Sequence, residues 1–273
     1  MRVIVTNDDG IDAIGLAVLT DAVRSDGHDV VAVAPSTESS GSSAGLGVVR
    51  DEHRVRSAVR ESGVFEGIEA YCLDAPPALG VRAACTGAFG PPPDLVVSGV
   101  NPGFNTGRLV VHSGTVGAAV TAASLDVCGA AFSTAARSVH GLDTTAHVAG
   151  WILRGLIGAG LPPVAVNVNV PDLPVTELTG VGFTDPGSVG CYDVQFDLHD
   201  RDLIVRQRQN PPPYEKGSDA DLLTRGMVAV SVLVLPWRTE HCAGRVVSEI
   251  DRCWRSGMRT TRRVVNDRLR VRL

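Results

Sequence analysis

Apolar residues in the first part of the chain change from strand-like runs to helix-like spacing and back. Residues 2–6 form a β-branched run, residues 14–23 carry apolar side chains at helical spacing, and residues 30–34 form a second apolar run. Short connections between a strand, a helix and a strand are typical of parallel βαβ units with right-handed crossovers. The pattern therefore predicts a parallel sheet whose first strand begins at residue 2.

The same alternation of strands and helices continues as far as residue 170. The further predicted elements are a polar antiparallel excursion at 48–72, a weak helix at 77–88, strands at 94–98, 130–133 and 164–170, and helices at 116–125 and 143–158. We therefore expect an α/β fold, in which a Rossmann-like parallel sheet at least five strands wide carries helices on both faces.

The character of the sequence changes after Pro171. Residues 180–184 and 202–206 look like the strands of a β-hairpin, and residues 227–235 form the strongest late strand. The segment 252–273 carries eight arginines and one acidic residue, which is typical of a solvated or oligomer-facing segment. We therefore expect three parts: a catalytic core at 1–178, an oligomer-forming hairpin and late strand at 179–251, and an arginine-rich tail at 252–273.

Composition and charge narrow the class of ligand. The chain has 273 residues, 44% of them hydrophobic, and a formal net charge of −5. This charge argues against a nucleic-acid or anionic-membrane partner and favours a small ligand. No segment has the length of a transmembrane helix, and the first residues lack the pattern of a signal peptide. Six cysteines are scattered without a C-x-x-C pair, so we expect reduced thiols and a cytoplasmic protein.

Three polar loops, at 7–10, 36–47 and 98–115, each follow a predicted parallel strand. Ligands bind beyond the carboxyl ends of parallel strands, so we expect the three loops to meet at one crevice. Asp8 and Asp9 are adjacent carboxylates on a turn, where both can contact a hard cation of the magnesium type. Ser40 and Asn101 can complete such a ligand shell.

Each of these loops also has a simpler interpretation. The segment 7–10 can be an ordinary turn that caps the next helix, and 99–107 can be a plain glycine-rich turn. Ser113-Gly114-Thr115 can hold a phosphate at a helix N-terminus, or it can be a helix cap without a ligand. His112 can act as an acid or pack against its neighbours. The joint placement of the loops favours the functional interpretation.

Several segments resemble the survival protein SurE family of metal-dependent 5′-nucleotidases and acid phosphatases. The matching segments are 5–11, 33–35 followed by Ser40-Gly41, 97–101, 112–116, 167–171 and 226–236. The resemblance spans about residues 1–240. It implies a Rossmann-like core with a hairpin and a C-terminal segment exchanged between the subunits of a homodimer or homotetramer.

The resemblance also implies roles for individual residues. The family's ligands for a divalent ion, Mg²⁺ or Mn²⁺, correspond to Asp8, Asp9, Ser40 and Asn101. Among these, Asp8 and Asp9 are the expected catalytic residues. The side of the pocket that contacts the substrate phosphate corresponds to Asn105, Ser113, Gly114 and Thr115. The metal would polarise the phosphoryl group for attack by water, although direct attack by an aspartate is equally compatible with the spacing.

Three departures from the family pattern surround these residues. Ser39 stands where the family usually has an arginine, Leu109 replaces an acidic residue, and the segment 74–79 differs from the family motif. We therefore expect a divergent phosphatase that acts on a nucleoside monophosphate or on a specialised phosphorylated small molecule. One alternative is a metal- and nucleotide-binding protein that has lost turnover. A nucleic-acid contact by the arginine-rich tail is a third hypothesis, disfavoured by the net charge.

Overall fold

A computed structural model describes residues 1–47, 54–60, 63–135, 138–233, 235 and 243–270. The strands in this part are β1 (Arg2–Thr6), β2 (Asp29–Pro35), β3 (Ser57–Val59), β4 (Glu69–Leu73), β5 (Leu95–Asn101), β6 (Cys128–Thr134), β7 (Ala165–Val170), β8 (Gly180–Phe183), β9 (Tyr192–His199), β10 (Asp202–Gln209) and β11 (Met227–Leu233). The α-helices are α1 (Ile14–Ser25), α2 (Pro77–Cys85), α3 (Gly114–Ser124), α4 (Val139–Gly158), α5 (Asp219–Thr224) and α6 (Ala243–Arg270). Short 3-10 helices lie at Gly63–Phe65, Gly107–His112 and Val175–Glu177.

Nine strands form one sheet in the order β3-β4-β2-β1-β5-β6-β7-β11-β8. The strands from β4 through β7 run parallel to their neighbours, while β3 and β11 pair antiparallel with β4 and β7. β1 has two neighbours in the sheet. The chain continues from β1 into β2 on one side of it, and returns later to form β5 on its other side. The boundary between β1 and β5 is therefore the topological switch point, where ligands of such sheets usually bind.

The central strands are buried on both faces. In β1, Val3 and Val5 pack in a cluster that includes side chains of α1, α4 and α6, whereas Ile4 packs in a cluster with side chains of α2 and α3. A strand covered by helices on both sides needs apolar residues at every position, which explains the unbroken apolar runs. The predicted Rossmann-like α/β fold with helices on both faces is confirmed.

The predicted excursion at 48–72 contains the antiparallel pair β3 and β4, but β4 itself joins β2 in the parallel part of the sheet. Residues 48–53 and 61–62 lie outside the described part of the chain.

A separate two-stranded hairpin is present and contains the predicted strand at 202–206, but the strand predicted at 180–184 is not its partner. β10 pairs with β9, while the segment at 180–183 forms β8 and runs parallel to β11 in the main sheet. The alternation of apolar and polar residues at 192–199 is the stronger strand pattern. The two strands are joined by the tight turn Asp200-Arg201, in which Asp200 has φ of 54°.

The long helix α6 was not predicted, and it crosses the expected boundary at residue 252. Val246 and Ile250 are buried against α4, and the rings of Trp254 and Trp151 meet edge to face with centroids 4.9 Å apart. Gly155 permits the close approach, because a Cβ there would lie 2.7 Å from Ile250 Cα. Among the described residues, no helix is long and apolar enough to cross a membrane.

Candidate active site at the carboxyl edge of the sheet

The turn after β1 is held by its own side chain and by the end of β2. Asn7 Nδ2 donates to Gly10 O at 3.0 Å, and the Ile11 amide donates to Pro35 O at 2.8 Å. Gly10 has φ of 105°, a conformation that residues with a side chain rarely adopt. The turn therefore fixes the directions of Asp8, which is 2% exposed, and of Asp9, which is half-buried.

The loop after β2 lies against both other loops, as expected. The Ser39 amide donates to Asp8 O at 2.7 Å, which joins this loop to the turn after β1. Further along, Ser43 donates from its amide to His112 O at 3.2 Å and from its hydroxyl to Val111 O at 2.7 Å. Hydrogen bonds thus join the three polar loops to one another at the switch point.

The N-terminus of α3 is in contact with Asp8. Ser113 caps the helix by accepting from the Val116 amide at 3.1 Å, and the hydroxyl of the fully buried Thr115 donates to Asp8 Oδ1. Gly114 leaves the room that this contact needs, since a Cβ there would lie 2.7 Å from Asp8 Oδ2. Ser113 is therefore a helix cap, and the predicted phosphate cradle lies directly against the first aspartate.

Burial raises the pKa of Asp8, although the Thr115 hydroxyl and the backbone at Asp8, Thr115 and Gly114 lower it in part. For Asp9, burial and the charges of Asp8 and Glu38 raise the pKa to about 7. Asp9 Oδ2 is buried and accepts no hydrogen bond from any described residue. Two neighbouring carboxylates with raised pKa values favour a bound cation, which would stabilise both in the charged form.

The two other predicted ligands lie in the loop after β2 and at the end of β5. Ser40 is exposed and donates to Glu38 Oε1 at 3.0 Å, and Asn101 ends β5 and donates from Nδ2 to Gly103 O at 2.6 Å. Within the described ranges, no three His, Cys, Asp or Glu side chains form a metal-binding group. A cation held by Asp8 and Asp9 therefore needs neutral oxygen ligands, and serine and asparagine supply these.

Asn105 is held in place by three neighbours. Its amide donates to Asn169 Oδ1 at 2.8 Å, and its carbonyl accepts from Asn167 Nδ2 and Asn169 Nδ2, both at 2.9 Å. Its side chain donates to Ser133 Oγ at 2.8 Å. The roles of Asn167 and Asn169 were missed from the sequence. Two buried asparagines at alternate positions of one strand were the signal that could have identified them.

Asp219 is a second residue that the sequence analysis missed. It is fully buried, accepting from the Gly107 amide at 2.8 Å through Oδ2 and from the Gly187 amide at 3.1 Å through Oδ1. It thereby joins the glycine-rich loop to the base of the hairpin. Because 112 positions separate Asp219 from Gly107, no local pattern indicates this contact.

Ser42 is the third missed residue. Its hydroxyl is buried and has no hydrogen-bond partner among the described residues. A Cβ at Gly114 would lie 2.7 Å from Ser42 Oγ and equally close to Asp8 Oδ2, so both oxygens lie against Gly114. One serine among many in a Ser/Gly-rich loop gives no sequence signal.

The departures from the family pattern lie at the edges of the crevice. The Ser39 side chain donates to Thr37 O at 3.2 Å, so only its backbone contacts Asp8. Leu109 and His112 line a neighbouring cavity of 390 Å³. The segment 74–79 leads into α2, where Pro77 occupies the first turn.

Comparison with known proteins gives a consistent match. The family model "Survival protein SurE" matches residues 3–191. The 5′-nucleotidase SurE of Thermosynechococcus vestitus is 37% identical over 195 residues, covering 71% of this chain and 72% of that protein. The 5′-nucleotidase SurE of Syntrophobacter fumaroxidans is 39% identical over 201 residues, covering 72% and 78%.

A solved structure agrees with these matches. The SurE protein of Aquifex aeolicus superposes with a TM-score of 0.72 at 26% identity, over 88% of this chain and 96% of that one. The likeness therefore extends beyond the segment matched by the family model.

Proposed function

The chain belongs to the survival protein SurE family, and from this we propose that it is a phosphoric monoester hydrolase that acts on nucleoside monophosphates. The observation that carries the proposal is the pair at the switch point of the sheet, in which Asp8 is buried against the N-terminus of α3 and Asp9 is half-buried beside it. The relatives named 5′-nucleotidase SurE support the choice of substrate class.

We assign the cation site to Asp8, Asp9, Ser40 and Asn101, with Mg²⁺ or Mn²⁺ as the ion. The unpartnered Asp9 Oδ2 and the raised pKa values of both carboxylates support this assignment. A bound divalent ion would offset negative charge on the phosphoryl oxygens and acidify a water molecule. Thr115 acts as a positioning residue, because its hydroxyl holds one oxygen of Asp8 and leaves the other facing the crevice.

The substrate phosphate would lie beside the N-terminus of α3, near Asp8 and the loop after β2. Ser113, Gly114, Thr115 and Asn105 form this side of the site, and we add Ser42 because its buried hydroxyl lacks a partner. Hydroxyl and backbone N–H donors at a helix N-terminus stabilise the phosphoryl oxygens. The N-terminus of α3 also donates hydrogen bonds to Asp8. The substrate phosphate and the Asp8 carboxylate would therefore both lie next to this helix end.

In the reaction, a bond forms from a water oxygen to phosphorus while the ester P–O bond breaks, and the leaving alkoxide takes up a proton. Asp8 or Asp9 attacking directly would instead give an acyl phosphate that water then cleaves. Rapid acid quenching of a single turnover with a ³²P-labelled nucleotide distinguishes the two routes. Labelled phosphate bound covalently to the protein indicates the covalent route, whereas label found only in nucleotide and free phosphate indicates direct attack by water.

The hairpin supports a proposal of homo-oligomerisation. On one of its faces, four large apolar side chains of β9 and β10 are more than half exposed, namely Phe196, Leu198, Leu203 and Val205. A contiguous apolar surface of this kind is typical of an interface. The division into a core at 1–178, an assembly segment at 179–251 and a tail at 252–273 remains part of this proposal.

The experiment that tests the function is a screen for phosphate release. The substrates are nucleoside monophosphates, sugar phosphates and phosphorylated natural-product intermediates, each with Mg²⁺ and with Mn²⁺. We expect hydrolysis of nucleoside monophosphates that chelator and Asp9→Ala abolish. Tight nucleotide binding without phosphate release from any substrate would favour the alternative, a binding protein that has lost turnover.

A further inference from the structure

A cavity of 480 Å³ lies at the same edge of the sheet as the proposed phosphate site. Ala135 and Pro171 in its wall directly follow β6 and β7, and Phe104 in its wall directly precedes Asn105. Adjacent strands are about 4.8 Å apart, so the three steps from β1 to β7 span roughly 14 Å. An extended nucleoside monophosphate with its phosphate near Asp8 would place its base in this region.

Aromatic rings form much of the cavity wall. Phe104, Tyr192 and Tyr214 are half-buried and pack on an apolar cluster that includes Cys191 and Leu223. The Tyr214 hydroxyl donates to Asn210 O at 2.6 Å, which fixes the direction of the ring. Half-buried aromatic rings beside an open volume of this size are typical of pockets for planar ligands.

The polar groups of the cavity wall favour a nucleobase over a second anionic group of the substrate. Asp172 and Gln209 line the cavity, and Asp172 Oδ1 accepts from Ser138 Oγ at 2.5 Å. A carboxylate and a carboxamide can hydrogen-bond the amino and ring N–H groups of a nucleobase. Among the described residues that line the cavity, none is lysine or arginine, so a leaving group with its own phosphate or carboxylate is disfavoured.

We propose that this cavity binds the nucleobase of the substrate, between the rings of Phe104, Tyr192 and Tyr214. The statement that this cavity binds the base of a substrate rests on the proposed function. Binding of the nucleoside itself does not require that function. Stacking on aromatic side chains tolerates different bases, so the pocket distinguishes nucleotides from sugar phosphates more strongly than one base from another.

Direct binding of adenosine and uridine, which carry no phosphate, tests the assignment without hydrolysis. Calorimetric titration of the full chain in chelator should detect binding. Tyr214→Ala should weaken it about tenfold, because one stacked ring is lost, while Tyr214→Phe should weaken it much less. Thr224→Trp, at an exposed lining position, should reduce binding at least as strongly by filling the cavity.

The matched control is Ser25→Trp, which places the same ring at an exposed position at the end of α1. It should leave nucleoside binding unchanged. Absence of nucleoside binding at millimolar concentration would overturn the assignment, as would equal affinities for the intact chain, Tyr214→Ala and Thr224→Trp.

Kinetics separates this inference from the proposed function. In Thr224→Trp, the ratio of kcat/KM for a nucleoside monophosphate to kcat/KM for β-glycerophosphate should fall at least tenfold, whereas Ser25→Trp should keep the ratio. An unchanged ratio in Thr224→Trp contradicts the assignment. If nucleoside binding responds to the variants but no phosphate is ever released, the cavity assignment is supported and the proposed function fails.

Discussion

At the scale of single residues, the site depends on two carboxylates that the fold buries side by side. Asp8 receives hydrogen bonds from Thr115, whereas one oxygen of Asp9 has no partner within the described residues. Burying a charge without a partner costs free energy, so the metal-free chain is expected to be less stable when Asp9 is ionised. The same feature that suits a cation is therefore a source of instability without it.

This instability depends on pH. The pKa of Asp9 is about 7 in the folded chain and near the ordinary 3.8 when unfolded, so the folded state binds more protons between these values. The contribution of Asp9 to stability is therefore present below about pH 4 and is lost as pH rises through about 7. In chelator, Tm should fall between about pH 4 and pH 7, and Asp9→Asn should reduce this fall. The control is Asp21→Asn, at an exposed position on α1, which should leave the fall in Tm unchanged. If Tm falls equally with pH in the two variants, the account is contradicted.

The Ser42 hydroxyl gives a second prediction. If it donates to a phosphoryl oxygen, Ser42→Ala removes one hydrogen bond worth about 1 kcal/mol, which corresponds to a roughly fivefold weaker affinity. We expect the inhibition constant of inorganic phosphate to rise by this factor, with thermal stability nearly unchanged. Ser36→Ala, an exposed serine at the start of the same loop, is the control. Identical inhibition constants in the two variants would remove Ser42 from the site.

At the scale of elements, the small residues of α3 allow this helix to pack close to the sheet and to Asp8. Gly114 lies against Asp8, and Ala118 and Ala122 are fully buried in the cluster beneath the sheet. Larger side chains would hold the helix away from the sheet and its N-terminus away from Asp8. The run of small residues in this helix therefore determines the geometry of the site.

Gly114→Ala tests this requirement. Alanine favours helices by about 1 kcal/mol over glycine, but here its Cβ would lie 2.7 Å from Asp8 Oδ2. We expect phosphate release to fall about a hundredfold or more, since small displacements at a catalytic group are costly. Gly150→Ala in α4 is the control, because its nearest neighbour at 3.0 Å is the side-chain oxygen of Asp26. Full activity in Gly114→Ala would disprove the close contact with Asp8.

Sequence patterns predicted some elements and missed others for physical reasons. The strands covered on both faces gave continuous apolar runs, which are easy to recognise at residues 2–6 and 94–98. The hairpin strand at 192–199 was missed although its apolar and polar residues alternate, because residues 180–184 were taken as the partner of 202–206. The second part of the helix α6 was interpreted as a solvated or oligomer-facing tail from residue 252, since its many arginines obscured the apolar position Trp254. The first part, with Val246 and Ile250, was included in the segment of the hairpin and the late strand.

The site divides in the same way. Asp8, Asp9 and Ser113 are near in sequence to the strand or helix that places them, so their positions followed from the order of elements. Asp219 and Asn169 reach the glycine-rich loop across 112 and 64 positions of sequence. Such contacts depend on the complete topology and leave no local pattern.

At the scale of the whole molecule, the hairpin carries an exposed apolar face. Phe196 and Leu198 are 61% and 71% exposed, and the opposite face carries charged pairs such as Arg206 with Asp197. A two-stranded ribbon is marginally stable alone, so a second copy of the chain that covers its apolar face would stabilise it.

Phe196→Glu tests this assembly. The substitution places a charge on the apolar face and should convert a dimer or tetramer to monomer in sedimentation experiments at micromolar concentration. Gln195→Glu, on the opposite face of the same strand, should leave the assembly intact. A monomeric native chain, or an assembly unaffected by Phe196→Glu, would contradict the proposed interface.

The central claim is that Asp8 and Asp9 hold a divalent cation on which hydrolysis depends. Its most direct test is a titration of the chelated protein with Mn²⁺, in which metal occupancy and release of phosphate from a nucleoside monophosphate are measured on the same samples. We predict that activity rises in proportion to the filling of one site per chain and that Asp9→Asn loses both the binding and the activity. Full hydrolysis in excess chelator, or unchanged metal binding in Asp9→Asn, would contradict the claim.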